Sequence, residues 1–381
     1  MIADTGQRPT WAEIDLNNLA FNFKSVKSFI GDTVKYMAVV KADAYGHGAL
    51  QCAKRLEAEG IDWFGVALPE EGVELRRAGI RKLILCLGGF WPGQESLVLN
   101  NRLTPVVFQF DRAEALNNAA RIRGTVAAVH VKIDTGMGRI GVRFDDAAEF
   151  AEALRGLRHL SVEGLMTHFA AADDLNENDF TDLQIKRFTE ATIAFRDRGH
   201  NPVYLDMANS PGAVAHPSAR SNMVRLGGVL YGLGGDVLPP GIEIPELRPV
   251  LALKTRIAFL KRVPKGETLG YGRTFESKSE MTVATLPIGY QDGYNRLLSN
   301  NGQILVRGIY CPVVGRISMD WTIVDVTEIP GAVEGDEVIL IGDSSGNRIT
   351  AEDLAGRIGT ISYEVTCAID RRVPRKFLSV D

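Results

Sequence analysis

Over about the first 230 residues, short runs rich in β-branched and apolar residues recur at 34–40, 61–67, 82–88, 103–108, 126–133, 162–168, 202–207 and 223–229. Between most of them lie stretches with apolar residues at helical spacing: Asn17 to Ile30, Ala49 to Glu59, Glu70 to Ala78, Arg112 to Ala120, Ala147 to Leu157 and Asp182 to Arg198. Strands that alternate with helices predict a parallel sheet. Eight such runs favour a closed (β/α)8 TIM barrel over an open doubly wound sheet.

The pattern changes near Leu238-Pro-Pro-Gly241. Beyond it, Val250 to Ile257, Thr282 to Leu286, Gln303 to Val306, Trp321 to Val326 and Glu337 to Ile341 read as strands, separated by Gly, Pro, Asn and Asp. Ala351 to Ile358 is the one clear late helix. The expectation is therefore an α/β chain with a barrel over 1–239 and a mostly β domain over 240–381, which suits a length too great for one core.

A formal charge of −4 with no Lys/Arg block argues against nucleic acid or an anionic membrane as partner. Cys52, Cys86, Cys311 and Cys367 are scattered, which reads as reduced thiols and not as a disulfide or zinc framework. The first residues lack the apolar core of a signal peptide, and no run approaches the ~20 apolar residues of a membrane span. The expectation is a soluble cytoplasmic protein without a metal site.

In a parallel barrel, chemistry gathers where the strands end. The first run ends on Lys41, followed by Ala-Asp-Ala-Tyr45-Gly-His-Gly48. A lysine desolvated there could serve as a Schiff-base nucleophile, or it could be an ordinary solvated lysine where strand meets loop. The fifth run ends in Lys132-Ile-Asp-Thr-Gly-Met-Gly-Arg139, the sixth in Thr167 and His168, the seventh in Ala208-Asn209-Ser210, and the eighth carries Arg225 before Gly227 and Gly228. One rim thus gathers cations, a hydroxyl and glycine-turn amides, a common arrangement for phosphate.

Gly136-Met-Gly-Arg-Ile-Gly141 matches the dinucleotide fingerprint G-x-G-x-x-G. That fold requires a helix to start within the motif and an acid at the end of the next strand. The helical pattern begins only near Asp146, and the acid at that offset, Glu163, falls at the start of its strand, so the nicotinamide reading is set aside. In the second domain, Tyr271 lies between two glycines, where bulky neighbours cannot hide it. Tyr290, the run Gly315-Arg-Ile-Ser-Met319-Asp320 and the run Ser362-Tyr363-Glu364 complete a second polar group.

With these segments in view, the chain resembles the alanine racemase family over nearly its whole length. The resemblance rests on Val40 to Gly48, Asp134 to Arg139, Val224 to Gly228, Gly270-Tyr-Gly272, Ser318-Met-Asp320 and Ser362-Tyr-Glu364, six segments in family order. It implies pyridoxal 5'-phosphate as cofactor and alanine as substrate, with the two bases of a racemisation on Lys41 and Tyr271. Lys41 would also hold the cofactor, and Tyr271 would come from the second chain of a homodimer. Arg225 would face the ring nitrogen. Tyr45, Ser210, Gly227, Gly228 and Tyr363 would bind the phosphate, and His168 would lie beneath the ring. Arg139 and the amide of Met319 would orient substrate. Lys132, a position that is often carbamylated in the family, would position Arg139, and Asp320 and Tyr290 would support the site. Asp173, Arg296, Arg316 and Ile361 would line the access corridor. Serine racemisation, decarboxylation on a related fold, or non-catalytic cofactor binding are the readings this resemblance must be weighed against.

Overall fold

The structure, a computed structural model, describes residues 7–379. It divides into two compact units. One comprises residues 19–44 and 49–247. The other comprises residues 7–18, the short stretch 45–48, and residues 248–379.

The first unit is the barrel. Its strands are β1 (Lys35–Val39), β2 (Trp63–Val66), β3 (Leu83–Cys86), β4 (Thr104–Val107), β5 (Ala127–Asp134), β6 (Leu160–Met166), β7 (Tyr204–Ala208) and β8 (Met223–Leu226). All neighbours are parallel and follow chain order. Closure comes from β8 on β1, where Met223 to Leu226 pair with Lys35 to Ala38. All eight strands lie within the runs read from the sequence or overlap them, and a helix follows most of them. The closed sheet confirms the barrel over the open alternative.

One interior layer shows why the strands sit in this register. Met37, Trp63, Leu85, Val106, Met166 and Met223 pack together at the core. The rings of Trp63, His130 and Tyr204 complete the layer, with centroids 5.1 to 5.8 Å apart. Gly164 makes room for the imidazole, since a Cβ there would meet the His130 ring at 2.6 Å. Residues two positions apart on a strand share a face, so Lys132 points inward as His130 does, one layer nearer the strand ends.

The second unit is mostly β. Its main sheet runs in the order Ile309–Pro312, Gln303–Val306, Glu337–Ser344, Leu251–Arg256, Thr10–Asp15, Arg375–Leu378, with Asn347–Ile349 paired to Glu337–Ser344. A second sheet joins Phe259–Val263, Met281–Leu286 and Thr322–Asp325. The expected helix Ala351–Ile358 is present, capped by a reciprocal Thr350–Asp353 box and stopped by Gly359 at φ 73°. A second late helix, Ser362–Cys367, was not expected. It spans only six residues and includes Val365 and Thr366, too short for a helical period to show.

Candidate active site

Lys41 opens a turn of unusual hand. Ala42, Asp43, Ala44 and Tyr45 all have φ between 51° and 55°, so the backbone winds left-handed for one turn directly after the lysine. For residues with a Cβ this costs about 1–2 kcal/mol each. Hydrogen bonds within the barrel unit help to hold it. The Ala44 N–H donates to Val40 O at 3.0 Å. Glu71 Oε1 accepts from the Ala42 N–H at 2.8 Å, and Asp43 Oδ1 accepts from the Ala49 N–H at 2.7 Å. Glu71 also accepts the N–H groups of Ala67 and Leu68 through Oε2, so one carboxylate ties the ends of β1 and β2 together. Strain maintained this way is commonest at working sites.

Arg225, on β8, is buried and held from several sides. Its Nη1 donates to Asp206 on β7, and its Nη2 lies 3.1 Å from Thr167 O and 3.2 Å from His168 Nδ1. Gln184, from the helix Asn178–Asp197, fixes the neighbouring backbone. Its Nε2 donates to Thr135 Oγ1 at 3.0 Å and to His168 O at 3.1 Å. The buried hydroxyl of Ser210 accepts the Gly227 N–H at 2.9 Å, joining the ends of β7 and β8.

Lys132 is buried on β5, and burial, reinforced by Arg225, Arg139 and Lys41, pushes its ammonium down to about 7. Burial and the charges of Arg225, Lys132, Arg139 and Lys41 push His168 down to about 2. These couplings place five sequence-predicted residues at one barrel end. The donor set there is cationic, with one buried carboxylate, Asp206, in contact with Arg225. Such an end suits an anionic group with a carbonyl within reach of a primary amine, which is the chemistry of pyridoxal phosphate. Arg139 itself is exposed, on a loop that Asp134 closes by accepting the Gly136 and Gly138 N–H groups at 2.9 and 3.1 Å. The G-x-G-x-x-G motif is this loop. A two-residue strand and a 3-10 turn follow it, and the helix begins only at Ala147.

The other unit gathers the remaining candidates in two groups. The Tyr45 and Tyr363 rings lie 5.2 Å apart. Gly46 lets the chain pass close to Thr366, whose carbonyl oxygen a Cβ would meet at 2.1 Å. The second group is built around Tyr271, which is 70% exposed, and Met319, which is 50% exposed. The glycines flanking Tyr271 have a packing reason, because a Cβ on Gly270 or Gly272 would meet Arg316 at 3.0 or 2.9 Å. The Tyr290 N–H donates to Ser318 O at 3.0 Å and the Gln291 N–H to Met319 O at 3.1 Å, so Tyr290 and Met319 sit on paired loops. Asp320 accepts from Arg372 at 2.5 Å.

The sequence profile of the alanine racemase N-terminal domain matches residues 14–234, and that of the C-terminal domain matches 250–377. The chain belongs to the alanine racemase family. It is 45% identical to the alanine racemase of Geobacter sulfurreducens over 377 residues, 98% of each chain. The alanine racemase of Bacillus anthracis with bound L-Ala-P is 36% identical, with a TM-score of 0.89 over 98% of this chain and 96% of that one. The alanine racemase of Bartonella henselae with covalently bound pyridoxal phosphate is 26% identical, with a TM-score of 0.87 over 98% of this chain and all (100%) of that one.

Two buried acids of this alanine racemase family member were not singled out in the sequence. Asp206 lies in the otherwise apolar run Leu205-Asp-Met-Ala208, and an acid in such a run was itself a signal. Asp292 is fully buried and accepts from Arg8 at 2.6 and 2.9 Å, from Arg372 at 2.8 Å, and from the Gly289 N–H at 3.0 Å. It anchors the Tyr290 loop. Its partners lie some 280 and 80 positions away, which no local pattern reveals. Among the described residues no group of three or more His, Cys, Asp or Glu is placed to hold a metal ion, and no helix is long and apolar enough to cross a membrane.

Proposed function

We propose that this member of the alanine racemase family interconverts L-alanine and D-alanine with pyridoxal 5'-phosphate attached at Lys41. The observation that carries the reading is Arg225, fixed at the barrel end that also carries Lys132, His168 and Lys41. When bound, the cofactor supplies an electron sink beside Cα. An arginine at its ring nitrogen donates a hydrogen bond but does not give up a proton. That weakens the sink and favours return of the proton to Cα over its diversion elsewhere, which disfavours transamination. A decarboxylase of related fold would be expected to carry an acid there.

Racemisation needs a proton withdrawn from one face of Cα and supplied to the other. Lys41 serves one face and Tyr271 the other. The exposure of Tyr271 and Met319 supports their delivery to a second copy of the chain, in a homodimer. Ser210, Gly227, Gly228, Tyr45 and Tyr363 would bind the phosphate, while Arg139 and the Met319 amide would orient the substrate, with Lys132 positioning Arg139. D-alanine made in this way in the cytoplasm would serve peptidoglycan.

The test is borohydride reduction of the cofactor-loaded protein followed by peptide mass analysis, together with chiral assay of alanine. A reduced adduct on Lys41, and loss of both visible absorbance and racemisation in Lys41→Ala, are expected. Retention of both in that variant would overturn the reading.

A further inference from the structure

Asp206 is the buried carboxylate at the cationic end of the barrel, and the mechanism above gives it no part. It is fully buried on β7, beside Met223 of β8 and Met166 of β6 in the sheet. Its Oδ1 accepts from Arg225 Nη1. Its Oδ2 has no hydrogen-bond partner among the described residues. The other acceptors around the guanidinium are Asp206 O, Thr167 O, Met207 O and His168 Nδ1. All four are neutral, so among the described residues the Asp206 carboxylate is the group that both orients Arg225 and offsets its charge. A carboxylate built purely to brace an arginine would use both oxygens in a fork. This one spends a single oxygen on Arg225 and lies within electrostatic reach of Lys132.

We propose that Asp206 is a positioning residue for the racemisation, fixing the Arg225 guanidinium and setting the electrostatic potential that it and Lys132 impose on the bound cofactor. This rests on the reading that Arg225 faces the ring nitrogen of pyridoxal phosphate bound at Lys41. The groups that contribute to the same potential are Lys132 on β5, Arg139 in the loop after β5, His168 after β6 and Arg225 on β8, all facing the group that would be held on Lys41. Against three cationic side chains and a neutral imidazole, the loss of one buried negative charge makes a protonated imine at Lys41 easier to deprotonate.

Two substitutions separate charge from position. Asp206→Asn keeps the shape and one acceptor but removes the charge. Asp206→Glu keeps the charge but lengthens the arm by one methylene and shifts the guanidinium. The experiment is a pH titration of the visible band of each loaded protein, with kcat and KM for alanine in both directions. For Asp206→Asn the midpoint falls by roughly one pH unit or more. For Asp206→Glu the midpoint stays near that of the unsubstituted protein, while kcat falls about tenfold to a hundredfold with KM little changed. A folded Asp206→Asn protein with an unmoved midpoint overturns the proposal. If Asp206→Asn does not fold, an unchanged kcat in Asp206→Glu overturns it instead. Absence of a reduced adduct on Lys41 in the unsubstituted protein overturns the underlying reading, and the proposal with it. With the adduct present, an unmoved midpoint counts against Asp206 alone.

Discussion

Arg225 Nη2 lies 3.2 Å from His168 Nδ1. A guanidinium only donates, so the imidazole accepts at Nδ1 and carries its proton on Nε2. An imidazolium there would have no acceptor to offer. Burial and four neighbouring cations enforce the same neutral state. His168 therefore holds Arg225 as a neutral strut, which sets the first prediction.

Arg225→Glu replaces a hydrogen-bond donor with a group able to share a proton with the cofactor ring. It also strips His168 of its partner. Racemisation should fall and release of pyruvate from alanine should rise, because a deeper electron sink permits transamination. Parallel chiral and pyruvate assays check this. An unchanged ratio of the two products would sink the assignment of Arg225 to the ring.

Tyr271→Phe should retain the visible band of the loaded protein while slowing turnover by about 10²–10⁴-fold. Net racemisation must fall equally in kcat/KM from either enantiomer, since the two have equal free energy, so the asymmetry is read in exchange of the α-proton. Solvent deuterium exchange should be lost from L-alanine more than from D-alanine, the enantiomer that Lys41 still faces. Equal losses of exchange from the two enantiomers would contradict a one-face-each division of labour.

Gly289 approaches the Met319 loop so closely that a Cβ would lie 2.3 Å from Ser318 O and 2.4 Å from Met319 O. Gly289→Ala must push that loop away, at about 1–3 kcal/mol of stability. KM for alanine should rise more than kcat falls, since Met319 is assigned to substrate orientation. Denaturant unfolding and steady-state kinetics separate the two effects.

His130 is buried with neither ring nitrogen paired among the described residues, and burial, aided by Arg225, lowers its pKa to about 3. The unfolded chain binds a proton near pH 6.5, whereas the folded chain refuses it until far lower pH. The stability tied to this site is thus complete above about pH 6.5 and drains away as pH falls toward 3, at up to about 1.4 kcal/mol per pH unit. His168 adds to the slope in the same direction. His130→Leu should flatten the decline between pH 6.5 and 4 in denaturant melts, and an unaltered slope would refute the account.

The barrel was legible because each strand is an apolar run bounded by helical periods, and closure follows from counting them. Candidate site residues at strand ends stood out for the same reason, since position in the barrel narrows the roles they could take. The left-handed turn after Lys41 was not legible. Ala42, Asp43 and Ala44 carry no glycine to signal positive φ, and the hydrogen bonds that enforce it come partly from Glu71, some 30 residues on. Asp292 escaped because its partners are distant in sequence, whereas Asp206 carried a local signal, an acid in an apolar run, that was passed over. The glycines around Tyr271 were noticed for exposing the tyrosine. Their contact with Arg316 became visible only once the 315–316 segment was in place.

The strand Thr10–Asp15 lies between Leu251–Arg256 and Arg375–Leu378 in one sheet. On a ribosome this imposes an order of events. Residues 35–226 emerge early enough for the barrel strands to pair with one another. The strand Thr10–Asp15 must wait with both edges open until Leu251–Arg256 has emerged, roughly 10–50 s later at ordinary elongation rates, and keeps one edge open until synthesis has passed residue 378. A nascent chain thus carries an unpaired strand through most of its synthesis, which makes that strand the place where a chaperone or a neighbouring nascent chain would meet it first.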